Sequence, residues 1–436
     1  MAQPVDPVHV LRGHFGEVQA VTFLSEDYLL SGDNNGEVKL WELQGCRAEQ
    51  TIRLHDANAG VMHLACLPGQ GLVASQGRDG CVRLWALEEG GMLRSAAPLA
   101  EVRTESFNFC RCAVWAPGAA GAGAAAPSAG PAGGVRDVWV ACAAHEASDV
   151  GVWRPGQGHR PCVTLTQQHM DPKHGMALAL GLLPDGPMLG PDGAIPGPDG
   201  PRSAGPGAGT AGVPGEPRLV VAGYEDGVVC VWDLRSPARP LAEKRGHGEP
   251  VMCLDVYDTS RGSPAACGTA RSGERTAHVD VVSGSAGEDI CFWRLSPTAP
   301  AAPTGAASTP TPNPPGSAGG GFAPTAAFCG PGKGGGGGVA LEVAKQLRLR
   351  EPGCADVRVR ADGKLLAAAC WDGATRLYSL RGRQLLAVLK YHRAQVTCVA
   401  FSPVRQALAT ASRDSTVALW DVYTSASAAG GGGGAA

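Results

Sequence analysis

Residues Tyr391–Tyr423 read YHRAQVTCVAFSPVRQALATASRDSTVALWDVY. Within this stretch QVTCVAF, ALATAS and TVALW alternate with a period of two, the pattern of strands that bury one face. SPVRQ and RDS supply the turn residues between them, which makes three antiparallel strands. LLAVLKYH, just ahead, is another short apolar strand. The unit therefore has four strands and closes on Trp420-Asp421.

A unit of this kind resembles the WD-repeat blade, the building block of a β-propeller. The resemblance implies one hydrogen-bonded chain per blade, from a His before the first strand through a Ser or Thr in the second and an Asp in the next turn to a Trp in the third. Here those positions are His392, Ser412, Asp414 and Trp420. A buried carboxylate or indole N–H left unpaired costs on the order of 1–3 kcal/mol, so each of the four needs the others. They are read as structural, and His392 and Asp414 are not read as a catalytic pair.

The same unit recurs along the chain. The first runs from LRGHFGEVQAVTF to GEVKLWEL, bracketed by His14 and Trp41, with Asn35 where the template has Asp414. Ahead of it Val8 to Leu11 is a strand with no blade of its own, expected to join the last blade and close the ring, which removes two sheet edges. The second unit has His55, Asp79 and Trp85, with Gly77 in place of the Ser. A degenerate third is pieced together from SFNFCRCAVW, VWVACAAH and SDVGVW. The fourth starts near His169 to His174 and resumes at RLVVAGYEDGVVCVWDL, with Asp226 and Trp232. The fifth keeps His247, Ser285 and Trp293 but has Gly287 at the Asp position; the sixth has Asp372 and carries Tyr378 in place of the Trp. Six of the nine tryptophans close a blade, and seven units suit a closed ring. The expected fold is all-β: a seven-bladed propeller over 1–423, with low-complexity inserts at about 116–134, 184–217, 259–277 and 296–338 and a Gly/Ala tail over 424–436.

Composition narrows the function. Much of the chain is spacer, with 63 Gly and 34 Pro in 436 residues. Net charge is −3, which argues against a protein defined by nucleic-acid binding. The charge is uneven, however: Lys345 to Arg413 holds 13 Lys/Arg against 4 Asp/Glu, so that sector is +9 and the rest is −12. The 15 cysteines are scattered, several inside apolar strands, as befits a reducing compartment. No zinc spacing, secretory leader or long apolar run is present in the sequence. CGPGKGGGGG around Lys333 lacks the Ser/Thr, the Gly spacing and the flanking strand and helix of a phosphate loop. His169, Asp171 and His174 are read as loop residues rather than metal ligands. No GxSxG or HExxH motif occurs. A non-enzymatic protein with no cofactor and no metal is expected.

A narrower resemblance rests on SQGRDGCVRLW, VVAGYEDGVVCVWDL, GEPVMCLDV, VVSGSAGEDI, LAAACWDGATRLYSL and LAVLKYHRAQVTCVAFSP, with DPVHVLRGH at the start and VALWDVY at the end. These phrases are similar to the family called guanine nucleotide-binding protein subunit β-like protein 1, or ASTRA-associated protein 1. The similarity covers all seven units. The chain departs from it at Ala369-Cys370-Trp371-Asp372-Gly373-Ala374, where relatives read AGWDHRIRV. The resemblance implies a scaffold or adaptor tied to the TTT co-chaperone machinery that matures phosphatidylinositol 3-kinase-related kinases, and to ASTRA-type chromatin-linked assemblies. It further implies residence in the cytoplasm, the nucleus or both. Plant members tie it to development and plasmodesmatal transport. A G-protein γ partner would need an amino-terminal coiled-coil helix, and none precedes the first strand, so that partnership is not expected.

In WD propellers the residue before the turn Asp projects onto one rim. That position gives Arg78, Glu225, Trp371 and Arg413, with Tyr224 adjacent. Trp and Arg are residue types that anchor interfaces. A protein-binding rim is the first expectation; polyanion binding by the basic sector is the alternative, and it would weaken steeply with salt.

Overall fold

The computed structural model describes residues 6–422 apart from 57–58, 89–90, 94–96, 118–134, 185–215, 259–277 and 298–338. Its described residues form seven four-stranded antiparallel sheets. Blade 1 is Val18–Phe23, Tyr28–Asp33, Glu37–Glu42 and Arg47–Arg53; blade 2 is Val61–Leu67, Leu72–Gly77, Cys81–Ala86 and Ala100–Arg103. Blade 3 is Ala113–Trp115, Trp139–Ala143, Val150–Trp153 and Val163–Leu165; blade 4 is Ala177–Pro184, Pro217–Tyr224, Val228–Asp233 and Ala242–Arg245. Blade 5 is Val251–Asp258, Val279–Ser285, Asp289–Pro297 and Val339–Arg348; blade 6 is Cys354–Val359, Leu365–Cys370, Ala374–Ser379 and Gln384–Lys390. Blade 7 is Val396–Phe401, Ala407–Ser412 and Thr416–Asp421, completed by His9–Arg12.

That last pairing closes the ring as expected. His9 stands opposite Leu419 and Arg12 opposite Thr416. Leu11, Val18 and Trp41 then pack with Cys398, Ala409 and Leu419 in one buried cluster, so blades 1 and 7 share a core. Each other pair of neighbouring blades shares a cluster in the same way, as Val221, Val251 and Trp293 do between blades 4 and 5. The blade-closing Trp41, Trp232, Trp293 and Trp420 are fully buried, and Tyr378 takes their place in blade 6 at 4% exposure. None of the 13 described cysteines is bridged and ten are buried, so the thiol serves this fold mostly as a small core group.

Strands reach further into the expected inserts than composition suggests. Pro184 pairs with Pro217 at the far end of a hairpin, and Asp289–Pro297 pairs along its whole length with Val339–Arg348. The outer strand of blade 5 was hidden behind the Pro/Gly-rich stretch that precedes it. The rest of the four inserts, Lys333 among them, and the tail lie outside the described residues.

Antiparallel order fixes which connections share a face. An inner strand starts at the end where the second strand finishes, so the loop entering each blade and the turn between its second and third strands lie together. The entry-loop His and turn Asp positions expected above lie at that face.

Candidate functional site: the mouth of the central channel

Blades 1, 2 and 7 carry a complete polar chain, and blade 5 carries one without the Asp. In blade 7 His392 Nε2 lies 2.7 Å from Thr410 Oγ1, Trp420 Nε1 donates to the same oxygen at 3.0 Å, and His392 Nδ1 lies 3.0 Å from Asp414. The hydroxyl is therefore Thr410 and not Ser412, which instead caps the turn by accepting from the Asp414 N–H. The same two-residue correction applies in blade 5, where His247 and Trp293 meet on Ser283, each at 2.7 Å, while Ser285 accepts from the Gly287 N–H. In blade 2 His55 and Trp85 meet on Ser75, so Gly77 replaces no hydroxyl; a Cβ at Gly77 would overlap the His55 ring. In blade 1 His14 and Trp41 meet on Ser31, and the carboxylate on His14 is Asp33, 3.0 Å away, so the chain is not weakened by Asn35.

Burial and pairing compete in these chains. Burial would raise the Asp79 carboxyl, but the His55 hydrogen bond and the Arg83 guanidinium at 2.8 Å prevail and hold it at about 2. Burial likewise works against the Asp414 carboxylate, and His392 and Thr416 keep it below its ordinary range. His247 has Gly287 where the other turns place the Asp, and burial brings it down to about 4 against the opposing pull of Asp289. In blade 6, which has no His, Asp372 takes two bonds from Arg376, at 3.0 and 2.6 Å.

Above these chains Arg78, Trp371 and Arg413 converge on one cavity of about 380 Å³ at the mouth of the channel. Arg78 lies 5.4 Å over the Phe109 ring. Trp371 is 39% exposed and rests on Gly353. Arg413 faces Glu17 at 3.6 Å. Phe15, Phe107 and Met176 are also exposed on loops entering blades at this face. Two expected rim residues fall elsewhere. Glu225 is exposed but does not line the mouth; its carboxylate accepts from the Met176 N–H. Tyr224 is fully buried, its ring 5.7 Å from His174, so it offers no surface.

Arg111 lines both the mouth and the deeper channel cavity of about 490 Å³. It donates to Thr397 O at 2.7 Å and stands 3.3 Å from Asp356. Deeper still, Arg358 reaches Asp356 at 3.6 Å and His63 at 3.4 Å. Burial lowers His63 well below its usual range, and the two guanidiniums deepen the effect. Phe109, Arg111 and Arg358 escaped the sequence reading. A lone Arg between Cys110 and Cys112 was a visible signal, but only the ring brings it to Asp356.

Several cations of the basic sector are held in ion pairs. Arg348 pairs with Glu288, Arg360 with Asp362, Arg376 with Asp372 and Arg405 with Glu26 and Asp27. Among the described residues no helix is long and apolar enough to cross a membrane.

The model for "WD domain, G-beta repeat" matches residues 5–42, 47–86 and 383–421. Guanine nucleotide-binding protein subunit beta-like protein 1 of Mus musculus is 28% identical, over 96% of this chain and 97% of that protein. ASTRA-associated protein 1 of Verticillium alfalfae is 24% identical, over 96% of this chain and 85% of its own length. The protein of that name in Schizosaccharomyces pombe is 41% identical over 17% of this chain and 21% of its own. Fold and names alike point to protein interaction rather than catalysis. The chain carries WD repeats, folds as a seven-bladed propeller, and is similar across most of its length to proteins named guanine nucleotide-binding protein subunit beta-like protein 1 and ASTRA-associated protein 1.

Proposed function

We propose that the protein is an adaptor that grips a segment of a partner protein at the mouth of the channel. The observation that carries this reading is the convergence of Arg78, Phe109, Arg111, Trp371 and Arg413 on one cavity. An exposed indole beside guanidiniums suits a segment with one apolar anchor and flanking carboxylates. The relatives' name, ASTRA-associated protein 1, supports assignment of the partner to an ASTRA-type assembly. Co-chaperones that mature phosphatidylinositol 3-kinase-related kinases are the partners to test, in cytoplasm and nucleus.

The test is affinity purification of the tagged full chain beside a Trp371→Ala, Arg413→Ala double variant, followed by mass spectrometry. Recovery of those co-chaperones with the wild type and their loss from a variant with unchanged melting temperature supports both role and face. Equal recovery moves the interface elsewhere. Their absence from the wild type removes the kinase-maturation role.

A further inference from the structure

Blade 4 has the acids of a polar chain but neither the hydroxyl of blades 1, 2, 5 and 7 nor the cation of blades 1 and 2. In blades 1, 2, 5 and 7 the hydroxyl residue pairs across strands with the residue two before the Trp: Ser31 with Lys39, Ser75 with Arg83, Ser283 with Cys291, Thr410 with Ala418. The corresponding pair in blade 4 is Ala222 with Cys230. His174 still places Nδ1 3.0 Å from Asp226, but its Nε2 has no hydroxyl to meet and is left buried without a hydrogen bond. The residue as a whole is 5% exposed.

Blade 2 shows what occupies this space elsewhere. Arg83 puts its guanidinium between Asp79 and Glu101, at 2.8 Å from each, and Glu101 is its direct cross-strand partner. In blade 4 Asp226 and Glu243 occupy the places of those two acids, and Glu243 is the cross-strand partner of Cys230. Between them stands the Cys230 thiol where blade 2 has the Arg83 guanidinium; blade 5 has Cys291 at the same place. His174 Nε2, Cys230 Sγ and a Glu243 oxygen all lie within 4.8 Å of one another, and the Nε2 to Glu243 distance is 3.5 Å.

We propose that blade 4 binds one zinc ion between His174 Nε2, Cys230 Sγ and the Glu243 carboxylate, with a fourth position open to water or to a partner's side chain. One imidazole, one thiolate and one carboxylate form a borderline-soft set that suits zinc. Bond lengths of about 2.0–2.3 Å around a tetrahedral ion need ligand atoms roughly 3.3–3.7 Å apart. The His174 to Glu243 distance already meets this, and the exposed Glu243 side chain is free to adjust. Asp226 on Nδ1 supplies the carboxylate–histidine support that orients a zinc-bound imidazole, and Arg245 holds Asp226 in turn at 3.0 Å. Binding displaces the thiol proton to solvent, so the sulfur enters as thiolate.

The experiment is titration of the chelator-treated full chain with zinc, and with cobalt(II) as a spectroscopic probe. One equivalent of zinc with a raised melting temperature, and a cobalt spectrum with a thiolate charge-transfer band and tetrahedral d–d intensity, are expected. Cys230→Ser removes the charge-transfer band. Glu243→Gln, at an exposed position that leaves the fold intact, weakens zinc binding at least tenfold. Zinc content and cobalt spectra that are the same in wild type and Cys230→Ser would place any bound metal on other thiols and overturn the site. A wild type that takes up no zinc overturns it equally.

Discussion

The indole of Trp371 lies against the Cα of Gly353, and Trp371 N donates to Gly353 O at 3.0 Å. Gly353 has φ +101°, and a Cβ there would overlap the ring. The exposed aromatic at the mouth therefore depends on a glycine from the neighbouring loop. Gly353→Ala is expected to cost roughly 1–2 kcal/mol through its backbone alone and to displace the indole. In a Trp371→Ala background the same change costs less, because the overlap is gone. Denaturant midpoints of the four chains measure this coupling, and strictly additive values would refute the contact.

Thr410 and Ser412 separate cleanly by mutation. Thr410→Val keeps the shape but leaves Trp420 Nε1 without an acceptor and His392 Nε2 without its hydroxyl partner, a loss of about 2–4 kcal/mol. Ser412→Ala removes the turn-capping bond and the bond Ser412 donates to Ala394 O at 3.2 Å, and costs roughly 1–2 kcal/mol. Urea unfolding of both variants decides which hydroxyl carries the chain; a larger loss for Ser412→Ala would reverse the assignment.

That pair also marks where sequence reading stops. Blade number, ring closure and the His, Asp and Trp of blades 2 and 7 were legible because each recurs at nearly constant spacing. Thr410 and Ser412 are two residues apart on one strand, so both point to the same face, and periodicity cannot choose between them. Asp33 escaped for the same reason, sitting two positions ahead of Asn35. Arg78, Trp371 and Arg413 could be placed on the rim because they precede the turn position. Arg111 and Phe109 could not, since their loop belongs to the degenerate blade 3, and Tyr224 turns inward beside His174.

Ser415 occupies the turn position at which Gly80, Gly227 and Gly373 have positive φ, and it adopts φ +66° itself. The left-handed region costs a non-glycine residue roughly 1–2 kcal/mol, partly offset by the extra freedom glycine brings to the unfolded chain. Ser415→Gly is expected to stabilise the protein by about 0.5–1 kcal/mol, read as a rise in melting temperature. A fall would show that the serine side chain makes a compensating contact.

Acid weakens the ring in two windows. Between pH 6.5 and about 4 the unfolded chain protonates His247 while the folded chain does not, so stability falls as pH drops, by roughly 3 kcal/mol in all. From pH 3.8 down towards 2 the unfolded chain protonates Asp79 ahead of the folded one, and the loss continues in the same direction. Urea midpoints at pH 7, 5 and 4 should decline, and a His247→Asn variant should show a flatter decline between pH 6.5 and 4. Parallel curves would remove His247 as the cause.

His9–Arg12 is made before every other strand of the ring and is used last. Its partner strand, Thr416–Asp421, is about 410 residues downstream, and at roughly 5–20 residues per second a ribosome needs about 20–80 s to deliver it. Throughout that interval blade 7 does not exist, and blade 1 has no neighbour on one side. Until Thr416–Asp421 has emerged the ring cannot close, so the closed core of blades 1 and 7 and the complete channel mouth arrive together with that one strand.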